Sequence, residues 1–253
     1  MKRYISVLLI ICLMLPYTVF AQNAKYEDAT TKVLFSDDFE DETVGMIPMK
    51  WERSSSANNK IFQVSEDPVL DGNKVFEITN AAKSWQDGIH IAKQYRTDIR
   101  NDISIKFRFY QLPKAGETAA AFRFAARNAD DKIFFEFFCR NGNIINNPNA
   151  YTPGQWNELE VKTNVAEWKA ELFINGASIG TIDMSNKDLY DAGTGFSTYD
   201  FGVFDINGWY GQSFVDDFTI TEDYTSDMKA IADTLTFDQL SSEKIGEVTE
   251  NLT

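Results

Sequence analysis

Through the middle of the chain, apolar and polar residues alternate one for one. In ISIKFRFY (103–110), Ile103, Ile105, Phe107 and Phe109 fall on one side, and Ser104, Lys106, Arg108 and Tyr110 on the other. A period of two belongs to a strand with one buried face; a helix would repeat at about 3.6. AAFRFAAR (120–127) sets Phe122 and Phe124 against Arg123 and Arg127. IFFEFFCR (133–140) sets Ile133, Phe135, Phe137 and Cys139 against Phe134, Glu136, Phe138 and Arg140.

The clearest hairpin is WKAELFINGASIGTI (168–182), where two alternating runs flank Asn175-Gly176. Asn-Gly accepts the left-handed backbone of a two-residue turn whose twist matches the strands it joins. Asp71-Gly72, Asn141-Gly142, Pro153-Gly154 and Asn207-Gly208 mark further turns. Short strands at regular spacing, with no helical stretch between them, predict an all-β fold: a two-sheet antiparallel sandwich.

The two ends of the chain show other patterns. MKRYISVLLIICLMLPYTVFAQNA opens with Lys2 and Arg3, runs through a short apolar core and reaches Val19-Phe20-Ala21. That is the form of a secretory signal cleaved after Ala21, too short and too early for a membrane span. It predicts a mature protein in the periplasm, at the cell surface or outside the cell. Residues 22–31 are polar and read as a loose N-terminus; the sandwich occupies 32–222. From Asp223 the pattern breaks. DMKAIADTLTFDQL (227–240) places Met228, Ile231, Ala232 and Leu235 at helical spacing, so residues 223–253 read as a linker and the start of another module.

Charge and cysteine content narrow the function. The full chain has a formal net charge of −14, and loss of the signal removes two cations. Such a protein has no cationic surplus for phosphate, which argues against nucleic acid as a partner. Only Cys139 lies beyond the signal, so no disulfide forms within the mature chain. Stability must come from the core, which 20 Phe in the full chain can supply.

Three stretches resemble the concanavalin A-like lectin/glucanase superfamily, the laminin-G-like jelly rolls. They are LFSDDFEDETVGMIPMKW (34–51), GQWNELEVKTNVAEWKAELFINGASIG (154–180) and SFVDDFTIT (213–221). The resemblance covers about residues 32–222. It implies a jelly roll whose first and last strands lie side by side and whose concave sheet takes sugars. It also implies a structural Ca²⁺ between those strands, at Asp38, the carbonyl of Gly72 and Asp216; oxygen ligands of that kind suit calcium. Residues 227–253 resemble the opening of an atrophied bacterial Ig-like domain found in multimodular secreted carbohydrate-active proteins. That implies a chain continuing into downstream domains.

Sequence leaves three functional readings open. The favoured one is a non-catalytic module that binds polysaccharide. Sugar sites pair aromatic planes with polar groups for the hydroxyls. The outward side of the predicted strands offers Lys106, Arg108, Tyr110, Arg123, Arg127, Glu136 and Arg140, with His90 and the loop aromatic Trp209 beside them. A second reading is a hydrolase or lyase working in the jelly roll. Glycosidases need paired carboxylates, and the Glu-x-Asp-x-x-Glu of the superfamily's glucanases has no match in the chain. A lyase needs a base and a group that neutralises the uronate; His90, the single histidine, would have to converge with Glu136 and Arg123 or Arg140. The third reading is a structural or adhesion spacer.

Overall fold

The computed structural model describes residues 31–53, 62–80, 87–113, 121–140, 142–145, 147–203 and 211–223. In chain order its first strands are β1 (Thr31–Asp37), β2 (Trp51–Arg53), β3 (Phe62–Glu66), β4 (Lys74–Asn80) and β5 (Asp87–Ile91). The middle ones are β6 (Asp102–Pro113), β7 (Ala121–Arg127), β8 (Ile133–Arg140), β9 (Asn143–Ile144) and β10 (Asn157–Asn164). Then come β11 (Lys169–Ile174), β12 (Ala177–Asp183), the short helix α1 (Lys187–Asp191), β13 (Thr198–Val203) and β14 (Gly211–Asp223).

These strands form two antiparallel sheets packed face to face. The larger, of eight strands, runs β12-β11-β10-β6-β14-β4-β3, with β1 also on β14. The smaller, of six, runs β2-β5-β13-β7-β8-β9. The first and last strands meet as the resemblance implied: Thr31 pairs with Asp223 and Asp37 with Phe218. β4 pairs with the other half of β14, from Gly211 to Val215. Where the two neighbours part, β14 bulges between Asp216 and Thr219, and Asp217 takes a φ of 52°. A bulge kinks a strand and re-aims its side chains.

Alternation in sequence becomes burial in the fold. Ile105, Phe107 and Phe109 of β6 are fully buried, and Phe124 and Phe201 meet them from the smaller sheet. The Phe107 ring stands 5.6 Å from Phe124, 5.3 Å from Phe201 and 5.8 Å from Phe218. Each such Phe contributes roughly 1.5–3 kcal/mol by burial, so core packing holds the sandwich, with no disulfide among the described residues. Cys139 is a free, buried thiol whose pKa burial raises far above the ordinary range. The Asn175-Gly176 turn is as expected, with φ of 50° and 79° and Ile174 paired to Ala177.

One strand departs from its simple alternation, which places Phe134 outward with Glu136 and Phe138. A register shift opposite Ala126 and Arg127 leaves Phe134 unpaired. It turns instead onto Phe196 and Trp168, with ring centroids 5.1 and 5.5 Å away, and is fully buried.

Candidate functional site

The outer face of the smaller sheet carries an ordered set of charged side chains. Register alone aligns Glu52 of β2, His90 of β5, Asp200 of β13, Ala125 of β7 and Glu136 of β8 in one row across five strands. The next row is Gly88, Gly202, Arg123 and Phe138. Two glycines side by side lower the floor next to Arg123. On the other flank, Arg127 pairs with Thr198.

These side chains are tied to one another. Arg123 bonds the Asp200 carboxylate with one nitrogen and reaches Glu136 Oε2 at 3.4 Å with another. Arg127 holds the second Asp200 oxygen through Nε at 2.8 Å, and its Nη1 donates to the Asp131 carbonyl at 3.0 Å. At the far end, Glu52 Oε1 lies 3.1 Å from His90 Nε2 and accepts from Arg96 Nη2 at 2.6 Å. Burial pushes the His90 pKa below its usual value, Arg96 lowers it further, and Glu52 and Asp200 oppose them.

Beside Glu136 the face opens into a cleft of about 610 Å³ at the β8–β9 edge. Glu136, Phe138, Arg140, Asn143, Ile145 and Pro148 line it, and Ile182 closes it from β12. Strand geometry dictates this grouping: Glu136, Phe138 and Arg140 are two residues apart on one strand and so share a face. Arg140 pairs in register with Asn143. Phe138 is half-buried and Arg140 exposed. An aromatic ring, a guanidinium, a carboxylate and an amide at one depression can stack against a sugar ring and bond its hydroxyls.

The expected outward stripe is therefore split between two faces. His90, Arg123, Arg127, Glu136 and Arg140 share the smaller sheet, whereas Lys106, Arg108 and Tyr110 lie on the far side of the sandwich. There Lys106 bonds Glu158 at 2.8 Å, and Arg108 bonds Asp216 and Asp217, each at 2.6 Å. Tyr110 packs against Trp156, Phe214 and Val75 in a small apolar cluster and is buried. Adjacent strands in sequence need not share a sheet: β6 runs into the larger sheet, β7 and β8 into the smaller. Trp209 lies outside the described residues.

The three residues expected to hold calcium lie just past the end of β1, in the β3–β4 turn and on β14. Asp38 is exposed and accepts from the Glu40 amide at 3.3 Å. Gly72 sits in the β3–β4 turn with a φ of 81°. Asp216 is buried and accepts from Arg108 and, at 3.1 Å, from Asn73. Burial raises its pKa. Among the described residues, no group of three His, Cys, Asp or Glu side chains is placed to hold a metal ion.

Sequence reasoning misses two participants, Asp200 and Glu52. STYDFGV alternates, so Asp200 is readable as outward. What the sequence hides is that β13 lies between β5 and β7, which sets Asp200 among His90, Arg123 and Arg127.

No protein-family model matches the chain, and none of the curated proteins matches it in sequence. Solved structures do share its fold. A carbohydrate esterase of the Shiga toxin-encoding bacteriophage phi24B superposes with a TM-score of 0.52 at 10% identity, over 76% of this chain and 99% of that one. A sialidase gives 0.51 at 12% identity, over 74% of this chain and 18% of that one. The carbohydrate recognition domain of Emp47p gives 0.50 at 9% identity, over 79% and 99%. At such identities the likeness is one of fold alone: a two-sheet β-sandwich.

Proposed function

We propose that this protein binds polysaccharide on the outer face of the smaller sheet, and that it does so without acting on the bound chain. The observation that carries the reading is the cleft of Glu136, Phe138, Arg140 and Asn143, opening from an ordered charged face. Phe138 offers the sugar a ring to lie on, and its neighbours offer hydrogen-bond partners of both kinds. The fold supports the reading at a coarse level, since it is shared with a carbohydrate recognition domain. In this reading the sandwich is one module of a secreted carbohydrate-active protein, with other domains of the same chain beside it.

A second reading, chemistry on the same face, has one observation in its favour: His90, Asp200, Arg123 and Glu136 do share the smaller sheet. The ion pairs weigh against it. Asp200 is held by two arginines, Glu136 by one, and His90 faces Glu52, so these groups are engaged with one another.

Affinity electrophoresis of the chain through gels cast with neutral and acidic polysaccharides tests the reading, with new chain ends assayed in the same mixtures. The expected result is retardation without product, lost in Phe138→Ala. Product formation would move the chemistry into this sandwich. Retardation by none of the polysaccharides would overturn binding altogether.

A further inference from the structure

We infer that the glycan taken by this cleft is anionic, bearing carboxylate or sulfate groups, and that Arg140 receives one of them. The inference rests on the binding reading above and adds the charge class of the ligand.

The two faces of the sandwich differ in charge. On the outward side of the larger sheet, Glu77, Glu158, Glu160, Glu171, Asp183, Asp216 and Asp217 outnumber Lys106, Arg108, Lys162 and Lys169. On the outward side of the smaller sheet, Arg123, Arg127 and Arg140 match Glu52, Asp200 and Glu136, and Arg96 adds a further cation beside Glu52. A chain of net charge −14 would repel an anionic polymer over most of its surface. Among the described residues, the smaller sheet's face is where that repulsion is cancelled.

Side-chain chemistry in the cleft points the same way. Its carboxylate, Glu136, is drawn toward Arg123 at 3.4 Å, which neutralises it within the protein. Arg140 is exposed on the cleft wall, two residues along the same strand from Phe138. That spacing is about 7 Å, so a sugar ring on Phe138 brings a ring substituent within reach of the guanidinium. A guanidinium presents a planar fork of donors that matches carboxylate and sulfate oxygens two at a time. Asn143, paired with Arg140 in register, adds an amide for the neighbouring hydroxyl.

The test uses the whole chain in gels containing polygalacturonate, a sulfated galactan, or a neutral β-glucan. The expected result is retardation in one or both acidic gels, weakened by added salt, with little in the neutral one. Arg140→Ala should weaken it about tenfold, by loss of a charge-assisted contact. Arg140→Lys should restore part of it, and Lys132→Ala, in the exposed β7–β8 turn, should leave it unchanged. Polygalacturonate against sulfated galactan tells carboxylate from sulfate. Retardation that is equal in the neutral gel, or that survives Arg140→Ala, overturns the anionic assignment while leaving polysaccharide binding intact. Absence of retardation in all three gels overturns both. Circular dichroism of each variant separates lost binding from lost fold.

Discussion

Asp200 stands directly across the sheet from His90, yet its carboxylate is held from the opposite side, one oxygen by Arg123 and the other by Arg127. The site is organised about this one anion. It bridges two arginines that would otherwise repel each other along the same face of β7. It also fixes where Arg123 points, and through Arg123 the carboxylate of Glu136 at the mouth of the cleft.

Removing Asp200 should therefore cost stability as well as order. The Arg123 and Asp200 side chains are only 10% and 8% exposed, so solvent screens the pair weakly. Breaking such a pair from one side costs on the order of 3 kcal/mol. Asp200→Ala should shift the urea midpoint down accordingly at an unchanged denaturant slope. Asp200→Asn, which keeps an acceptor oxygen, should lose less. A midpoint within about 0.5 kcal/mol of the parent would mean the pair is worth no more than an exposed one.

A second buried anion ties the edge of the fold. Asp37, at the end of β1, accepts from Trp51 Nε1 at 2.8 Å and from Lys50 Nζ at 3.3 Å. Trp51 belongs to the smaller sheet and Asp37 to the larger, so this bond joins the two layers. Trp51→Phe keeps most of the apolar contact and deletes the donor. It should cost roughly 1–3 kcal/mol, the penalty of a buried acceptor left short of a partner. Asp37→Asn with Trp51 retained should cost less, because the indole keeps an oxygen to bond. Thermal unfolding of both variants checks the order.

How much of this is legible in the sequence depends on what carries the information. The alternation of Ile103, Ile105, Phe107 and Phe109 is local, and so is the Asn175-Gly176 turn; both can be read straight from the chain. The side of the sheet on which Arg123, Glu136 and Arg140 project is legible for the same reason. Strand order is not local. Lys106 and Arg123 have the same alternation, and nothing within either segment tells that β6 and β7 enter different layers. Asp200 joins the site through long-range pairing of β13 with both β5 and β7. Phe134 defies its alternation through a single inserted residue, since one bulge reverses the facing of its neighbours along the strand.

Gly195 offers a purely structural check on the fold. Ile99 and Phe196 exchange backbone hydrogen bonds, each of 2.8 Å, which brings the two segments into close contact. A Cβ at position 195 would lie 2.1 Å from the Ile99 carbonyl oxygen. Because the obstacle is backbone, no rotamer change relieves it. Gly195→Ala should cost about 2 kcal/mol or more through forced displacement of the pairing. The measurement is the denaturation midpoint, with Gly176→Ala as the comparison. At Gly176 no atom lies within 4 Å of the added Cβ, so strain arises only from its positive φ.

His90 should make the stability of the fold decline as pH falls below about 7. Its pKa is lowered in the folded protein by burial first and by Arg96 second, against the pull of Glu52 and Asp200. Well above the ordinary histidine pKa of about 6.5 the ring is neutral in both states and contributes no difference. As pH falls, the unfolded chain takes up the proton first. Proton uptake by the unfolded state lowers stability, and the loss deepens until the folded ring is protonated too. His90→Gln removes this titration and leaves an amide facing Glu52. Urea midpoints of parent and variant at about pH 7.5 and pH 5.5 isolate the effect, because the remaining carboxylates titrate in both proteins. The parent should lose more stability than the variant over that interval. Parallel losses would show that His90 titrates alike in the folded and unfolded chain, and that its contact with Glu52 fully offsets burial and Arg96.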